Sequence, residues 1–150
     1  MAVDRDCVGL YSSNCGSIQP EFTFNQRTTI GFGDVDVSLL WRYLDRVEYE
    51  FAGDPEEAAF SGTLPAGLGT LSGREVNFNR IKAKHYFDLS TRIGVTENFT
   101  LIALVQNLLD KDPPLVGNTI GSTTFNSGNT YPSSYDALGR RFTVTGRIRF

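Results

Sequence analysis

Few residues in this chain have the chemistry to make or hold a bond. It has two cysteines, Cys7 and Cys15, and one histidine, His85. A zinc or iron centre of ordinary ligand type would have to rest mainly on carboxylates, and no such cluster stands out. Cys7 and Cys15 enclose a short stretch with Asn14 and Gly16 as turn formers. The pair reads as a disulfide candidate closing a small loop, which needs an oxidising compartment; the alternative is two reduced thiols in a cytosolic loop. His85 with Asp88 has the makings of two members of a hydrolytic triad. Their offset of three, however, puts them on opposite faces of a strand, and no serine is singled out as nucleophile. No catalytic residue is assigned and no enzyme activity is expected.

Three further motifs have everyday explanations. Gly67-Leu68-Gly69-Thr70-Leu71-Ser72-Gly73 looks like a phosphate-cradling loop, but no hydrophobic strand precedes it, no Lys-Ser/Thr ends it and no helix follows. Asp54-Pro55-Glu56-Glu57, near Glu48 and Glu50, could hold a hard cation through oxygen ligands; a solvated loop is the commoner fate of a short acidic run. Asn98-Phe99-Thr100 matches a glycosylation acceptor by letter and falls in an expected tight turn. No cofactor or metal is expected. A net charge of -3, with no Lys/Arg cluster on a helical face, argues against nucleic acid as a partner.

Positioning these groups falls to β structure. The 15 glycines, 11 phenylalanines and 6 tyrosines in 150 residues make a turn-rich, aromatic-rich mixture that favours strands. Period-two alternation, which sends successive side chains to opposite faces of a sheet, recurs in five runs. In the cleanest, Val35, Val37, Leu39, Trp41 and Tyr43 take one face and Asp36, Ser38, Leu40 and Arg42 the other. Before it, Phe22, Phe24, Ile30 and Phe32 lie opposite Thr23, Asn25, Arg27 and Thr29, with Gln26 and Thr28 diluting the apolar side. From Ile81 to Val95 the apolar face carries Ile81, Ala83, Phe87, Leu89, Ile93 and Val95, with His85 and Thr91 as exceptions; Lys82, Lys84, Asp88, Ser90 and Arg92 lie opposite. Phe99 to Asn107 is apolar on both faces through Ile102 and Leu104, which leaves a short buried helix open, although the neighbouring runs favour strand. The last run sets Phe142, Val144, Gly146, Ile148 and Phe150 against Arg141, Thr143, Thr145, Arg147 and Arg149.

The connections alternate in length. Gly33-Asp34 and Thr96-Glu97-Asn98 are short enough for tight hairpins. Those spanning roughly 44–80 and 109–140 are long, polar and rich in Gly, Pro, Ser, Thr and Asn. In a compact soluble domain, loops beyond about 12 to 15 residues are uncommon. Short turns on one rim and long loops on the other are the layout of a transmembrane β-barrel. Each run supplies the roughly 9 to 11 residues that a tilted strand needs to cross a bilayer, whereas no window approaches the ~18 apolar residues of a spanning helix. With Phe32, Phe99 and Phe150 at the short-turn rim, Trp41, Tyr43 and Phe87 fall near the opposite interface, as paired aromatic girdles require. His85 then reads as a lipid-facing or interface residue.

Periodicity alone also fits a soluble β-sandwich whose apolar faces form a core. Loop asymmetry and the terminal strand turn the reading towards an all-β fold of a particular kind: an antiparallel meander of about five strands, a segment of a large transmembrane β-barrel. On it, Val35, Val37, Leu39, Trp41 and Tyr43 are lipid-facing. The lumen wall carries Arg27, Arg42, Lys82, Lys84, Arg92, Arg141, Arg147 and Arg149 against Asp36 and Asp88. Such a basic wall could pair with an acidic plug or favour anionic solutes, unless carboxylates of other strands neutralise it.

Several motifs go further than pattern. The Cys7 to Cys15 loop is followed by Pro20, and Trp41-Arg42-Tyr43 lies within an outward-alternating strand. Asp88-Leu89 opens into Gly94-Val95-Thr96-Glu97-Asn98-Phe99-Thr100-Leu101. Then come Asn107-Leu108-Leu109-Asp110-Lys111-Asp112-Pro113-Pro114 and Tyr135-Asp136-Ala137-Leu138-Gly139-Arg140-Arg141-Phe142, the latter ending eight residues before Phe150. Together they make the chain resemble the C-terminal portion of TonB-dependent outer-membrane receptors, along essentially all of residues 1–150.

The resemblance implies a large monomeric barrel of about 22 strands closed around an N-terminal plug, of which this chain is the last part of the wall. It implies import of a scarce nutrient, a ferric siderophore before cobalamin or oligosaccharides, by ligand binding and energy-coupled gating. The implied partners are outer-membrane lipid, the plug domain and remaining barrel strands of the parent chain, the TonB system reached through the N-terminal part, and a small-molecule ligand. The implied place is the bacterial outer membrane. Plug, TonB-contacting segment, earlier strands and signal peptide are expected upstream, since Met1-Ala2-Val3-Asp4-Arg5-Asp6 lacks the zones of a secretory signal. Phe142, Val144, Ile148 and Phe150 fit the terminal-strand assembly signal of such barrels, with Gly146 as a gap. Substrate contacts are expected from the plug apex and the two long connections. In a different class, a soluble β-rich binding or adhesion module would use those same loops.

Overall fold

The computed structural model describes residues 5–117 and 129–150. Met1 to Asp4, and residues 118–128 of the second long connection, lie outside the described residues. Among those described, the chain is all-β with no α-helix, and none has a helix long and apolar enough to cross a membrane. In chain order the strands are β1 (Leu10–Tyr11), β2 (Thr23–Phe32), β3 (Val35–Leu44), β4 (Val47–Tyr49), β5 (Ser61–Thr63), β6 (Glu75–Asn77), β7 (Arg80–Ile81), β8 (Lys84–Thr96), β9 (Phe99–Gln106) and β10 (Arg141–Ile148). Contacts divide the chain into two compact units.

The first unit holds Thr23–Leu44, Lys84–Asp112 and Leu138–Phe150. It is a five-stranded sheet in the order β10-β9-β8-β3-β2, antiparallel at every pairing. Strands that alternate polar with β-branched or aromatic residues pair with their sequence neighbours, because a hairpin is the shortest route between antiparallel strands. Gly33, at φ 61°, occupies the first position of the two-residue turn between β2 and β3, where a type II′ turn needs a left-handed residue. Glu97-Asn98 makes the turn between β8 and β9. The long connections leave from the opposite rim. β2 and β10 are edges, each paired on one side; the sheet is open and forms no closed barrel.

Several expectations need correction. The run from Ile81 to Val95 is two strands: β8 begins at Lys84, and Ile81 belongs to β7, buried in the other unit. Ile81, Ala83 and Lys82 therefore lie outside the five-stranded sheet. Period-two counting cannot see the break, because Ile81 and Ala83 happen to keep the parity of Phe87. Thr96 is a strand residue rather than a turn residue, and Val95 is the extra residue of a bulge between Gly94 and Thr96. Phe22 lies before β2, and Arg149 and Phe150 lie beyond β10. Phe99–Gln106 is strand, which removes the short-helix alternative.

The second unit holds the described residues of Met1–Phe22, Asp45–Ala83 and Pro113–Ala137. The connection spanning 44–80 is thus not irregular loop throughout. β1 pairs in parallel with β4, β4 pairs antiparallel with β7, and β5 and β6 form a separate hairpin. Its core is small and rich in tyrosine: Tyr11, Ile18, Val47, Ile81, Val116, Tyr131 and Tyr135 are buried. Tyr11 donates its hydroxyl to the Phe78 carbonyl and packs edge-on against Tyr131, ring centroids 6.3 Å apart. Cys7 and Cys15 are joined as a disulfide, Cα atoms 5.6 Å apart. The closed loop carries β1 and Ser12, whose hydroxyl bonds Glu50 at 2.6 Å.

Candidate functional site: an apolar sheet face and its polar clasp

Register decides which side chains of the first unit share a face. Across the middle of the sheet Thr28 pairs with Leu39, Leu39 with Leu89, Leu89 with Val105 and Val105 with Phe142. The next row runs Ile30, Val37, Thr91, Ala103 and Val144. Val35, Val37, Leu39, Trp41 and Tyr43 all belong to this face. From β2 to β10 it carries no Asp, Glu, Lys or Arg, and His85 is its one basic side chain.

This face is bare. Leu39 is 40% exposed, Ile148 61%, Val144 70% and Phe142 73%. A sandwich core would have these side chains covered, since uncovered apolar surface forfeits about 25 cal/mol per Å². Near the long-connection rim the face becomes aromatic. Trp41 lies 4.8 Å from Phe24 and 5.9 Å from Phe87, and Tyr43 lies 5.2 Å from Phe24 and 4.9 Å from His85, centroid to centroid.

The opposite face is polar and holds two ion pairs. Arg42 binds Asp88 through Nε to Oδ2 at 3.0 Å and Nη2 to Oδ1 at 3.1 Å. Arg92 Nη1 reaches Asp36 Oδ2 at 3.1 Å, and the hydroxyls of Thr29 and Ser38 are 2.6 Å apart. Two of the expected basic residues are therefore neutralised by the two aspartates of the same face. Lys84 Nζ donates to the Asp112 carbonyl at 3.0 Å. With Lys82 off the sheet as well, the wall is less basic than its letters suggest.

At the long-connection rim, Asp88 also accepts the Asn107 backbone N–H at 2.8 Å. Asn107 is buried, takes a left-handed φ of 50°, and brackets Lys111: Nδ2 donates to the Lys111 carbonyl at 3.0 Å and Oδ1 accepts its N–H at 2.9 Å. Asp110, also left-handed at φ 51°, accepts the Arg140 N–H at 2.9 Å and pairs with its guanidinium at 3.4 Å. Gly139 closes the join, because a Cβ there would stand 3.2 Å from Asp110 Oδ1. The motifs beginning at Asn107 and ending at Phe142 thus meet as a clasp at the base of the second long connection. Alternation gave no hint of it; the signal was Asn and Asp three residues apart, the two non-glycine types that best tolerate left-handed backbone.

The other candidates fall elsewhere. His85 and Asp88 are on opposite faces, and Asp88 is engaged by Arg42. Glu50 accepts bonds from Arg5, Ser12 and Asn14, while Asp54 caps its own turn through the Glu56 N–H at 2.9 Å. No group of three or more His, Cys, Asp or Glu among the described residues could hold a metal ion. Gly67–Gly73 contains only a 3-10 turn, Gly69–Leu71. Asn98 lies in the turn that ends at β9. No protein family, curated protein or solved structure matches the chain.

Proposed function

We propose that this chain is part of the wall of a bacterial outer-membrane β-barrel, the C-terminal segment of a TonB-dependent receptor. The observation that carries this reading is the inside-out character of the five-stranded sheet: an uncharged, exposed face backed by a polar face that holds two ion pairs. Hydrocarbon is the solvent that accepts the first face, and a water- or plug-filled lumen is the one that accepts the second. The two-residue turns on one rim and long connections on the other support the same reading. So do the aromatic residues gathered near the long-connection rim.

Two open edges call for more strands, because unpaired backbone groups in hydrocarbon cost several kcal/mol each. The remaining strands and the plug would come from a longer parent chain. Phe142, Val144, Ile148 and Phe150, in an exposed apolar row ending at the short-turn rim, serve as the assembly signal. The resemblance of the motifs supports a transport role, with a ferric siderophore as cargo and TonB as energy source. The long connections, whose described residues both join the N-terminal stretch in the unit with the tyrosine core, supply the ligand contacts. A soluble binding or adhesion module would need the apolar face covered. The test is whether lipid reaches residue 39 and not residue 40, read by a lipid-soluble quencher on labels at the two positions.

A further inference from the structure

On the uncharged face, the chain's single tryptophan and single histidine are bonded to each other: Trp41 Nε1 donates to His85 Nδ1 at 3.2 Å. A ring nitrogen that accepts a hydrogen bond carries no proton, so neutral His85 holds its proton on Nε2. That N–H has no hydrogen-bond partner among the described residues, and His85 is exposed. The ring is also held in place, stacked on Trp41 with centroids 5.8 Å apart at 27° and tilted against Tyr43. Lys84, Tyr86 and Asp88 of the same strand, and Arg42 of the neighbouring one, belong to the opposite face by register. The Nε2–H is therefore a fixed donor on an apolar face, at the rim where β8 begins.

We propose that His85 binds a phosphate-monoester oxygen of an anionic lipid headgroup through Nε2–H, with Trp41 as the positioning residue. This rests on the proposal that the face meets lipid. His85 then sits where the apolar band gives way to the long connections, which is the depth of the headgroups. A phosphate monoester, which carries more negative charge than the phosphodiester of phosphatidylcholine, is a stronger acceptor than that diester, an ester carbonyl or water, because charge on the oxygen strengthens the hydrogen bond it accepts. No carboxylate on this face competes for the donor.

The experiment reconstitutes the full-length parent chain, which supplies the strands that the two open edges need, in phosphatidylcholine vesicles and compares spin-labelled phosphatidic acid with spin-labelled phosphatidylcholine. It is run at about 1 M salt, where the screening length is about 3 Å and diffuse attraction is suppressed. The native chain should hold phosphatidic acid in its motionally restricted lipid shell about threefold more strongly than phosphatidylcholine, as expected of one hydrogen bond at a wet interface. His85→Phe should abolish the preference while keeping the shell. His85→Gln, which retains an acceptor for Trp41 and an outward N–H, should preserve it. The inference is overturned by a native chain with no preference, by a preference that survives His85→Phe, or by its equal loss in both variants. A native chain with no restricted shell at all would instead refute the membrane reading beneath it.

Discussion

Arg42 holds both carboxylate oxygens of Asp88 from the neighbouring strand, on the face of the sheet turned away from Trp41. Their side chains are 26% and 10% exposed, so the pair is largely removed from water. Such a pair is costly to break and much less costly to replace. Asp88→Ala should destabilise the sheet by about 3 kcal/mol, whereas Arg42→Leu combined with Asp88→Leu should recover most of that loss. A double-mutant cycle on denaturant unfolding measures both; additive costs would show that the pair contributes no coupling.

Asn107 combines a left-handed backbone with two side-chain hydrogen bonds to Lys111. Asn107→Ala loses both features and should cost about 2 kcal/mol, while Asn107→Gly keeps the backbone conformation and should cost less. The same unfolding assay ranks them, and an alanine variant as stable as the glycine variant would remove the backbone part of the argument.

Much of the five-stranded sheet was legible because its signal is local. Val35 to Tyr43 alternates with Leu40 as the one break in its polar row, and Gly33-Asp34 states its own turn. The clasp and the tyrosine unit were not legible, because they join residues far apart in sequence. Tyr11, Tyr131 and Tyr135 stand singly in polar stretches, and strands as short as Val47–Tyr49 and Arg80–Ile81 have no period to read. The bulge at Val95 was invisible for a different reason: an extra residue changes the pairing without changing the composition.

The disulfide should matter to the tyrosine unit alone. It closes a short loop around β1, and removing it by Cys7→Ser with Cys15→Ser should cost that unit about 2 to 3 kcal/mol on a chain-entropy estimate. The Glu50 amide, which donates to the Tyr11 carbonyl at 3.1 Å, should lose hydrogen-exchange protection, while amides in the middle of β3 keep theirs. Unchanged protection at Glu50 would show that the crosslink is dispensable.

Alkali should attack the same unit. Burial, then neighbouring Tyr49, pushes the Tyr131 hydroxyl up to about 12. Burial, followed by Tyr131, Tyr135 and Tyr49, raises Tyr11 further. Folded values above the unfolded value near 10 mean that the neutral phenols favour the fold. This stabilisation is complete below about pH 10 and is lost as pH rises towards and beyond about 12. Tyrosinate absorbance from these residues should appear together with loss of the unit's amide protection. Ionisation near pH 10 without unfolding would contradict their burial.

The account turns on which face of the sheet meets lipid, and Leu39 and Leu40 test it as adjacent, identical residues on opposite faces. A small fluorophore is attached through a cysteine placed at residue 39 or residue 40, in vesicles carrying a quencher confined to the hydrocarbon. Quenching should be strong at residue 39 and weak at residue 40. Equal quenching at the two positions, or quenching at neither, would contradict the membrane-facing assignment and with it the barrel.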